Sequence, residues 1–266
     1  MVRLAVRVAR AQAELVLAEL LELAPVGVEE TDDGDVIEYA IYGAPGELPS
    51  LPALRATAGG ALVQISTQAV ADDWSQRWRE FHRPLVLERR LTVRPPWEPA
   101  TGTPIDVVID PGEAFGTGAH ATTRLCLELM LELHGSGAFV DLGCGSGVLA
   151  IAAARLGFAP VAALDIDPAS VRAALCNARR NGVELDVARL DLRREPVPPA
   201  PTIAANLLAP LLVAWAPLAP PRCRRVIAGG LLAQEAADVA GAFAAQGLRE
   251  AARRVSGEWA TLLLER

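Results

Sequence analysis

Val140-Asp141-Leu142-Gly143-Cys144-Gly145-Ser146-Gly147 is a short apolar run that passes directly into a glycine-rich turn. The apolar residues from Ala138 onward predict a buried parallel strand, and a helix is expected to begin near Val148. Glycine is needed in such a turn because a Cβ would block the backbone dihedrals and the close approach of a ligand. The N-terminus of the following helix presents free N–H groups and a partial positive charge, so it can bind a carboxylate or a phosphate.

The spacing of the glycines indicates which cofactor this turn suits. They form G-x-G-x-G, whereas the dinucleotide fingerprint has its third glycine one position later, where this chain has Val148. A second predicted strand, 161–164, is followed by Asp165, whose carboxylate is positioned to accept hydrogen bonds from both hydroxyls of a ribose. Strand, turn, strand and acid together predict an adenosyl ligand other than NAD. The alternative is a glycine-rich turn that binds no ligand.

The composition limits the possible classes of protein. The chain has 266 residues, of which 52% are hydrophobic, and this suffices for one large domain or a large and a small one. A formal net charge of −7 argues against a broad nucleic-acid-binding surface. The four cysteines are widely spaced, without C-x-x-C and without a histidine cluster beside them, so we expect neither a metal site nor a disulfide framework.

Two further features of the sequence bear on location. Arginines at positions 3, 7 and 10 exclude a signal-peptide core near the first residue. Residues 196–221 carry no charge, but their prolines interrupt the stretch too often for a membrane-spanning helix. We therefore interpret this stretch as a buried strand and helix, and we expect a cytoplasmic protein that neither enters a membrane nor binds nucleic acid directly.

The first seventy residues have the pattern β-α-β-β-α-β. Apolar alternation and helical spacing predict strands at 2–8, 26–30, 36–41 and 61–67 and helices at 11–23 and 51–58. An Asp-Gly turn ending at Gly34 joins the second and third strands as in a hairpin. This order is the split βαβ, or ferredoxin-like, arrangement. Because it contains no catalytic groups, we interpret domain 1–70 as a substrate-recognition module.

A linker and a larger domain are predicted after this module. The linker covers 71–100 and contains a helix at 72–81, whose aromatic stripe we expect to pack onto one of the domains. In the domain at 101–266, strands alternate with helices as in an open parallel sheet. Its predicted strands are 139–142, 161–164, 185–188, 203–206 and 225–228, followed by two antiparallel strands at 248–255 and 259–264. The predicted fold class is therefore α/β, with a Rossmann-like sheet and a small N-terminal α+β domain.

A second cluster of polar and small residues precedes the first of these strands. Residues 110–123 have the sequence D-P-G-E-A-F-G-T-G-A-H-A-T-T. Thr122 and Thr123 are predicted to cap a helix at 124–133. The residues before them are either a simple loop that leads into this helix or a lid whose backbone and hydroxyl groups face a cofactor. His120 could act as a base, but a structural hydrogen-bonding role is favoured for a single histidine in a loop.

The third cluster is A-N-L-L-A-P at residues 205–210. Asn206 follows the fourth predicted strand at its carboxyl end, where open α/β sheets bind their ligands. The carboxamide of Asn206 can accept a hydrogen bond from an amine. The alternative is that Asn206 only shapes the turn, because Asn is common after strands.

Together these motifs resemble those of one family. D-P-G-E-A-F-G-T-G-A-H-A-T-T, D-L-G-C-G-S-G-V-L-A-I-A-A, D-I-D-P and A-N-L-L-A occur in the order found in bacterial methyltransferases of the eleventh protein of the large ribosomal subunit. The resemblance is strong over 105–210 and loose over 1–70. One departure is Ala228-Gly229-Gly230, where that family tends to have Ser-Gly.

The resemblance implies a class I methyltransferase that uses S-adenosyl-L-methionine (AdoMet). Its substrate would be the ribosomal protein, methylated on lysine side chains and the α-amino group. The family's cofactor positions fall on Thr123, Gly143, Asp165 and Asn206, and Asn206 would also orient the amine; no metal is implied. A strong general base is not required, because methyl transfer needs mainly a well-placed neutral amine. Two alternatives are a related methyltransferase that modifies lysine in another protein and a non-catalytic AdoMet-binding regulator.

Overall fold

The computed structural model describes residues 2–13, 16–17, 29–43, 62–69, 83–110 and 120–266. The chain divides into two compact units, Met1–Phe81 and His82–Arg266. The predicted helices at 51–58 and 72–81, with the aromatic stripe, lie outside the described residues, as do most of the helix predicted at 11–23 and the glycine-containing loop at 111–119.

The first unit contains a four-stranded antiparallel sheet. Its strands are β1 (Val2–Ala9), β2 (Glu29–Asp33), β3 (Val36–Gly43) and β4 (Leu62–Ala69), and a short 3-10 helix, Arg10–Gln12, follows β1. The order β2-β3-β1-β4 is that of the predicted ferredoxin-like arrangement. Alternate residues of β1 and β3, among them Val6 and Tyr39, form the buried face of the sheet.

The second unit begins with a small sheet that the sequence pattern did not predict. Strands β5 (Leu85–Leu87), β6 (Leu91–Arg94) and β7 (Ile105–Val108) pair in this order, and an Arg94–Asp106 ion pair at 2.7 Å joins β6 to β7. Leu91 and Val93 are buried in the main core of this unit. Residues 85–94 therefore belong to the second unit, although their short apolar runs and the prolines on either side resemble a linker.

The main sheet of the second unit has seven strands. They are β8 (Phe139–Leu142), β9 (Val161–Asp165), β10 (Asp186–Arg189), β11 (Thr202–Asn206), β12 (Arg225–Leu232), β13 (Arg249–Ser256) and β14 (Trp259–Glu265). The order is β10-β9-β8-β11-β12-β14-β13, parallel from β10 to β12 and antiparallel for the last two strands. All seven strands were predicted, six of them within about two residues of their observed ends, whereas β12 continues four residues beyond its predicted end at 228. The predicted α/β fold class is confirmed.

Helices cover both faces of this sheet. They are α1 (Ala121–Glu132), α2 (Val148–Arg155), α3 (Pro168–Asn181), α4 (Ala209–Trp215) and α5 (Ala236–Ala244), and a 3-10 turn, Ala216–Leu218, follows α4. Phe139 faces the core formed with α1, α2 and α3, whereas Val140 faces the core formed with α4 and α5. Parallel strands that are buried on both faces read as continuous apolar runs, which is why they were predictable.

The order of the strands positions a ligand site. The chain runs outward from β8 through β9 to β10, and then returns to the other side of β8 with β11. At such a reversal, the helices that follow the two central strands lie on opposite faces and leave a crevice at the carboxyl ends of the strands. The glycine turn and Asn206 both lie at this edge.

The uncharged stretch 196–221 is only partly as predicted. Strand β11 is buried as predicted. After it, apolar side chains are exposed both just before α4, where Leu208 is 73% exposed, and within α4, where Val213 is 39% exposed. Among the described residues, no helix is long and apolar enough to cross a membrane.

Candidate functional site

The glycine turn after β8 adopts left-handed backbone conformations. The φ angles of Gly143, Gly145 and Gly147 are 68°, 51° and 80°. At Gly143 the close approach of another segment adds a second requirement, because a Cβ there would lie 2.4 Å from Leu207 Cδ2. Glycine at this position therefore satisfies both the turn and the packing of the segment after β11.

Asp165 is hydrogen-bonded to the same turn. The backbone nitrogen of Gly145 donates to Asp165 Oδ2 at 2.9 Å, and that of Asp167 donates to Oδ1 at 2.9 Å. Each carboxylate oxygen thus accepts one backbone hydrogen bond and retains a further lone pair. The carboxylate is held in place and can still accept two hydroxyl groups.

Asp141 is a buried acid in the middle of the glycine motif. Asp141 is only 1% exposed, and its Oδ2 accepts a hydrogen bond from the backbone nitrogen of Ala150 at 3.0 Å. Its Oδ1 is buried and has no hydrogen-bond partner among the described residues. Burial raises the pKa of Asp141 to about 7; the nearby charge of Asp165 also raises it, and the Ala150 hydrogen bond opposes the shift.

Asn206 ends β11 and faces the first turn of α1. Its Nδ2 lies 3.5 Å from Thr123 Oγ1, a long hydrogen bond in which the carboxamide donates. Thr123 is 1% exposed, so its hydroxyl is fixed by its position in the helix. The two predicted site residues are thus adjacent in space although 83 positions separate them in the chain.

Gly229 and Gly230 leave the space that the Asn206 carboxamide needs. A Cβ at either position would lie 3.1 Å from Asn206 Oδ1. At Gly229 it would also lie 2.5 Å from Cys126 Sγ, and at Gly230, where φ is 79°, it would lie 2.6 Å from the Leu207 carbonyl oxygen. The Gly-Gly pair is therefore matched to the packing around Asn206 in this chain.

These groups line one cavity of about 410 Å³ at the carboxyl edge of the sheet. All four residues predicted to contact the cofactor, Thr123, Gly143, Asp165 and Asn206, are in its lining. Asp141, whose buried Oδ1 has no partner among the described residues, is also in the lining. Within the described part of the chain, no cluster of three or more His, Cys, Asp or Glu side chains is arranged to hold a metal ion.

The far end of the cavity contains residues that sequence reasoning missed. Ile166, Leu190 and Leu192 give it apolar walls, and Asp191 adds a carboxylate whose Oδ1 accepts a hydrogen bond from the Arg193 backbone nitrogen at 3.0 Å. Apolar walls beside one acceptor suit a flat heterocycle with an amino group. Asp191 comes two residues after β10, so the rule that strand ends line the site could have identified it.

The contacts of His120 with other described residues are structural. It is the N-cap of α1, where its Nδ1 accepts a hydrogen bond from the Thr122 backbone nitrogen at 3.3 Å, and its ring packs edge-on against Trp259 at 5.0 Å. The prediction that Thr122 and Thr123 cap this helix is wrong, because the helix begins one turn earlier than expected. The structural interpretation of His120 agrees with these contacts.

The buried thiols are not activated as nucleophiles. Burial raises the pKa of Cys126 to about 12 and that of Cys223 to about 11, and it also raises the pKa of Cys144, which lines the cavity. A thiol with a raised pKa holds its proton and attacks poorly. Cys144 therefore fills space in the glycine turn.

Comparison with known proteins identifies close relatives of this chain. Residues 48–266 match the sequence profile of a family described as "Ribosomal protein L11 methyltransferase (PrmA)". A ribosomal protein L11 methyltransferase of Pelotomaculum thermopropionicum is 41% identical over 214 residues, covering 76% of this chain and 69% of that protein. One from Geobacter sulfurreducens is 37% identical over 253 residues, covering 89% of this chain and 83% of that protein.

A solved structure shares the architecture. The crystal structure of a ribosomal protein L11 methylase from Lactobacillus delbrueckii subsp. bulgaricus superimposes with a TM-score of 0.61 at 29% sequence identity. The superposition covers 70% of this chain and 99% of that one. The similarity therefore extends through the domain that contains the cavity.

Proposed function

This chain belongs to the ribosomal protein L11 methyltransferase family, and from that premise we propose that it transfers methyl groups from AdoMet to amino groups of ribosomal protein L11. It is an AdoMet-dependent methyltransferase. The observation that carries the proposal is that Thr123, Gly143, Asp165 and Asn206 line a single cavity of about 410 Å³ at the switch point of the sheet.

We propose that residues around the cavity contact AdoMet in four places. We propose that the free lone pairs of Asp165 accept hydrogen bonds from the ribose hydroxyls, and that the backbone of the turn at Gly143, which lines the cavity, lies against the cofactor chain. The unpartnered Oδ1 of Asp141 is suited to receive a cationic N–H donor, such as an ammonium group. Asp191 and the apolar residues beyond Asp165 suit the base.

When bound, AdoMet supplies a methyl group on a sulfonium sulfur, which a neutral amine can attack in line. The chain's own task is to hold that amine at the right place and in its uncharged form. We propose that Asn206 Oδ1 accepts a hydrogen bond from the amine, since Nδ2 donates to Thr123 Oγ1. An aqueous lysine has a pKa of about 10.4, and desolvation at the cavity favours its neutral form.

The division of labour between the two units is also a proposal. We infer that the first unit recognises the acceptor protein, because the residues that line the cavity all lie in the second unit. A chain that starts at Arg83 keeps β5 and β6 with the second unit, whereas one that starts at Thr101 would remove two strands of the small sheet. The chain starting at Arg83 should bind AdoMet but methylate L11 poorly; methylation at the full-length rate would contradict the recognition role.

Because ribosomal proteins are made and assembled in the cytoplasm, we propose that the enzyme acts there. The direct test is to incubate it with methyl-labelled AdoMet and ribosomal proteins from cells that lack this methylation, and to separate the proteins afterwards. Label on L11 supports the proposal. Label on another protein would favour a related lysine methyltransferase, and cofactor binding without label on any protein would favour a non-catalytic regulator.

A further inference from the structure

The helix α4 has an apolar face on its exposed side. Pro210, Val213, Ala214 and Pro217 are exposed and follow one another at the spacing i, i+3, i+4, i+7 that places residues on one side of a helix. The opposite side is also apolar and is buried against α5 and the sheet. A helix that is apolar all round is normally buried on every side.

The residues at the two ends of α4 extend this surface. Leu208 just before the helix is 73% exposed, and Leu218 in the following 3-10 turn is 62% exposed. No charged residue occurs between positions 196 and 221. Single exposed apolar residues are common, but a contiguous series along one element marks an interaction surface. We call these six residues the outer α4 face: Leu208, Pro210, Val213, Ala214, Pro217 and Leu218.

The outer α4 face begins at the rim of the cofactor cavity. Leu207 and Leu211 line the cavity, and Leu208 lies between them in the chain, two residues after Asn206. Leu208 therefore adjoins the part of the cavity wall that contains Asn206. The surface and the catalytic cavity are continuous.

We propose that the outer α4 face binds the segment of the acceptor protein that carries the target amine, through uncharged, apolar side chains. This inference rests on the proposed function and adds a docking surface to it. An uncharged face is complementary to an apolar segment and to the methylene stem of a lysine. A second copy of the chain is less suitable as occupant, because at Leu208 it would crowd the part of the cavity wall that contains Asn206.

The test replaces two exposed apolar residues that lie outside the cavity. The variant Val213→Gln/Leu218→Gln keeps every residue of the cavity lining, and Val255→Gln is the matched control, because Val255 is 55% exposed on β13. Steady-state methylation of purified ribosomal protein L11 is measured with each protein. We expect the KM for L11 to rise about tenfold in the double variant, which equals about 1.4 kcal/mol, with kcat, AdoMet affinity and thermal midpoint unchanged and with no effect of Val255→Gln.

An unchanged KM for L11 in the double variant would overturn the docking surface while leaving the proposed function intact. If the double variant were destabilised, the single variant Leu218→Gln would be measured instead, with a smaller rise in KM expected. If the wild-type enzyme is a dimer and the double variant is a monomer with an unchanged KM for L11, the face binds a second copy of the chain. That result would also overturn the inference. Absence of any transfer to L11 by the wild-type enzyme would instead contradict the proposed function itself, and this inference with it.

Discussion

The backbone nitrogen of Gly145 donates a hydrogen bond to the Asp165 carboxylate at 2.9 Å, so the glycine turn after β8 and the acid that ends β9 form one unit. The turn fixes the carboxylate, and the carboxylate in turn holds the turn in its left-handed conformation. Neither part of the site is assembled independently of the other.

Asp165→Ala is expected to weaken AdoMet binding five- to 150-fold, or about 1–3 kcal/mol, because hydrogen bonds between a carboxylate and the ribose hydroxyls are lost. Titration calorimetry of the folded variant measures the change. Asp186→Ala is the control, since Asp186 is an exposed acid on β10 that does not line the cavity. Wild-type affinity in Asp165→Ala would remove this residue from the cofactor site.

Gly143→Ala is expected to lower AdoMet affinity at least about tenfold, because its Cβ would lie 2.4 Å from Leu207 Cδ2 and would force this cavity-lining side chain to move. Gly182→Ala separates this effect from backbone strain. Gly182 has a similar φ of 60°, but a Cβ there has no heavy atom within 4 Å. Gly182→Ala should lose about 1–2 kcal/mol of stability and keep its affinity; equal loss of affinity in both variants would rule out the packing explanation.

Gly229→Ala tests whether space beside Asn206 sets the rate of transfer. Its Cβ would lie 2.5 Å from Cys126 Sγ and 3.1 Å from Asn206 Oδ1, so we expect a loss of stability of about 1–3 kcal/mol and a slower reaction. Adding Cys126→Ala removes the contact with sulfur and should restore part of the stability. The rate should remain about three- to tenfold below that of Cys126→Ala alone, because the carboxamide is still displaced. If the double variant matched Cys126→Ala in single-turnover rate, the positioning role of Gly229 would be refuted.

Asp141→Asn is expected to stabilise the cofactor-free protein more at pH 8 than at pH 5. The folded-state pKa of Asp141 is raised from 3.8 to about 7, so the folded protein retains a proton that the unfolded chain releases over this range. The acid therefore costs stability progressively as the pH rises from about 4 to about 7, and an amide does not. Calorimetry should show that the gain in Tm over wild type is larger at pH 8 by at least about 2 °C. A gain that is the same at both pH values would contradict the raised pKa.

Much of the second unit was predictable because its local signals agree with the fold. The parallel strands are apolar runs between turn residues, and Asp165 and Asn206 follow such runs at their carboxyl ends. Position in the topology, rather than residue type, made Asn206 a candidate. The pairing of β5 and β6 was missed because these strands are three and four residues long and are bordered by prolines, as in a linker.

The other differences depend on three-dimensional packing. Asp141 lies inside an apolar run, and no pattern in the sequence shows that one of its oxygens is left without a partner beside the cavity. The apolar composition of 196–221 predicted burial, whereas α4 exposes one side. The spatial match between Gly229 and Cys126 joins residues on different elements, so it could be seen only in the structure.

We propose that a methyl group passes from AdoMet in this cavity to an L11 amine held at Asn206. Single-turnover methylation of L11 by the variant Asn206→Ala is the experiment that decides whether it does. Enzyme saturated with labelled AdoMet is mixed with L11, and the rate of transfer is compared with that of the wild type. We predict that the variant reacts about 100-fold more slowly, a loss of about 2.7 kcal/mol, with AdoMet affinity changed much less. A variant that transfers at the wild-type rate and shows only a lowered Tm would make Asn206 a turn residue and contradict the account.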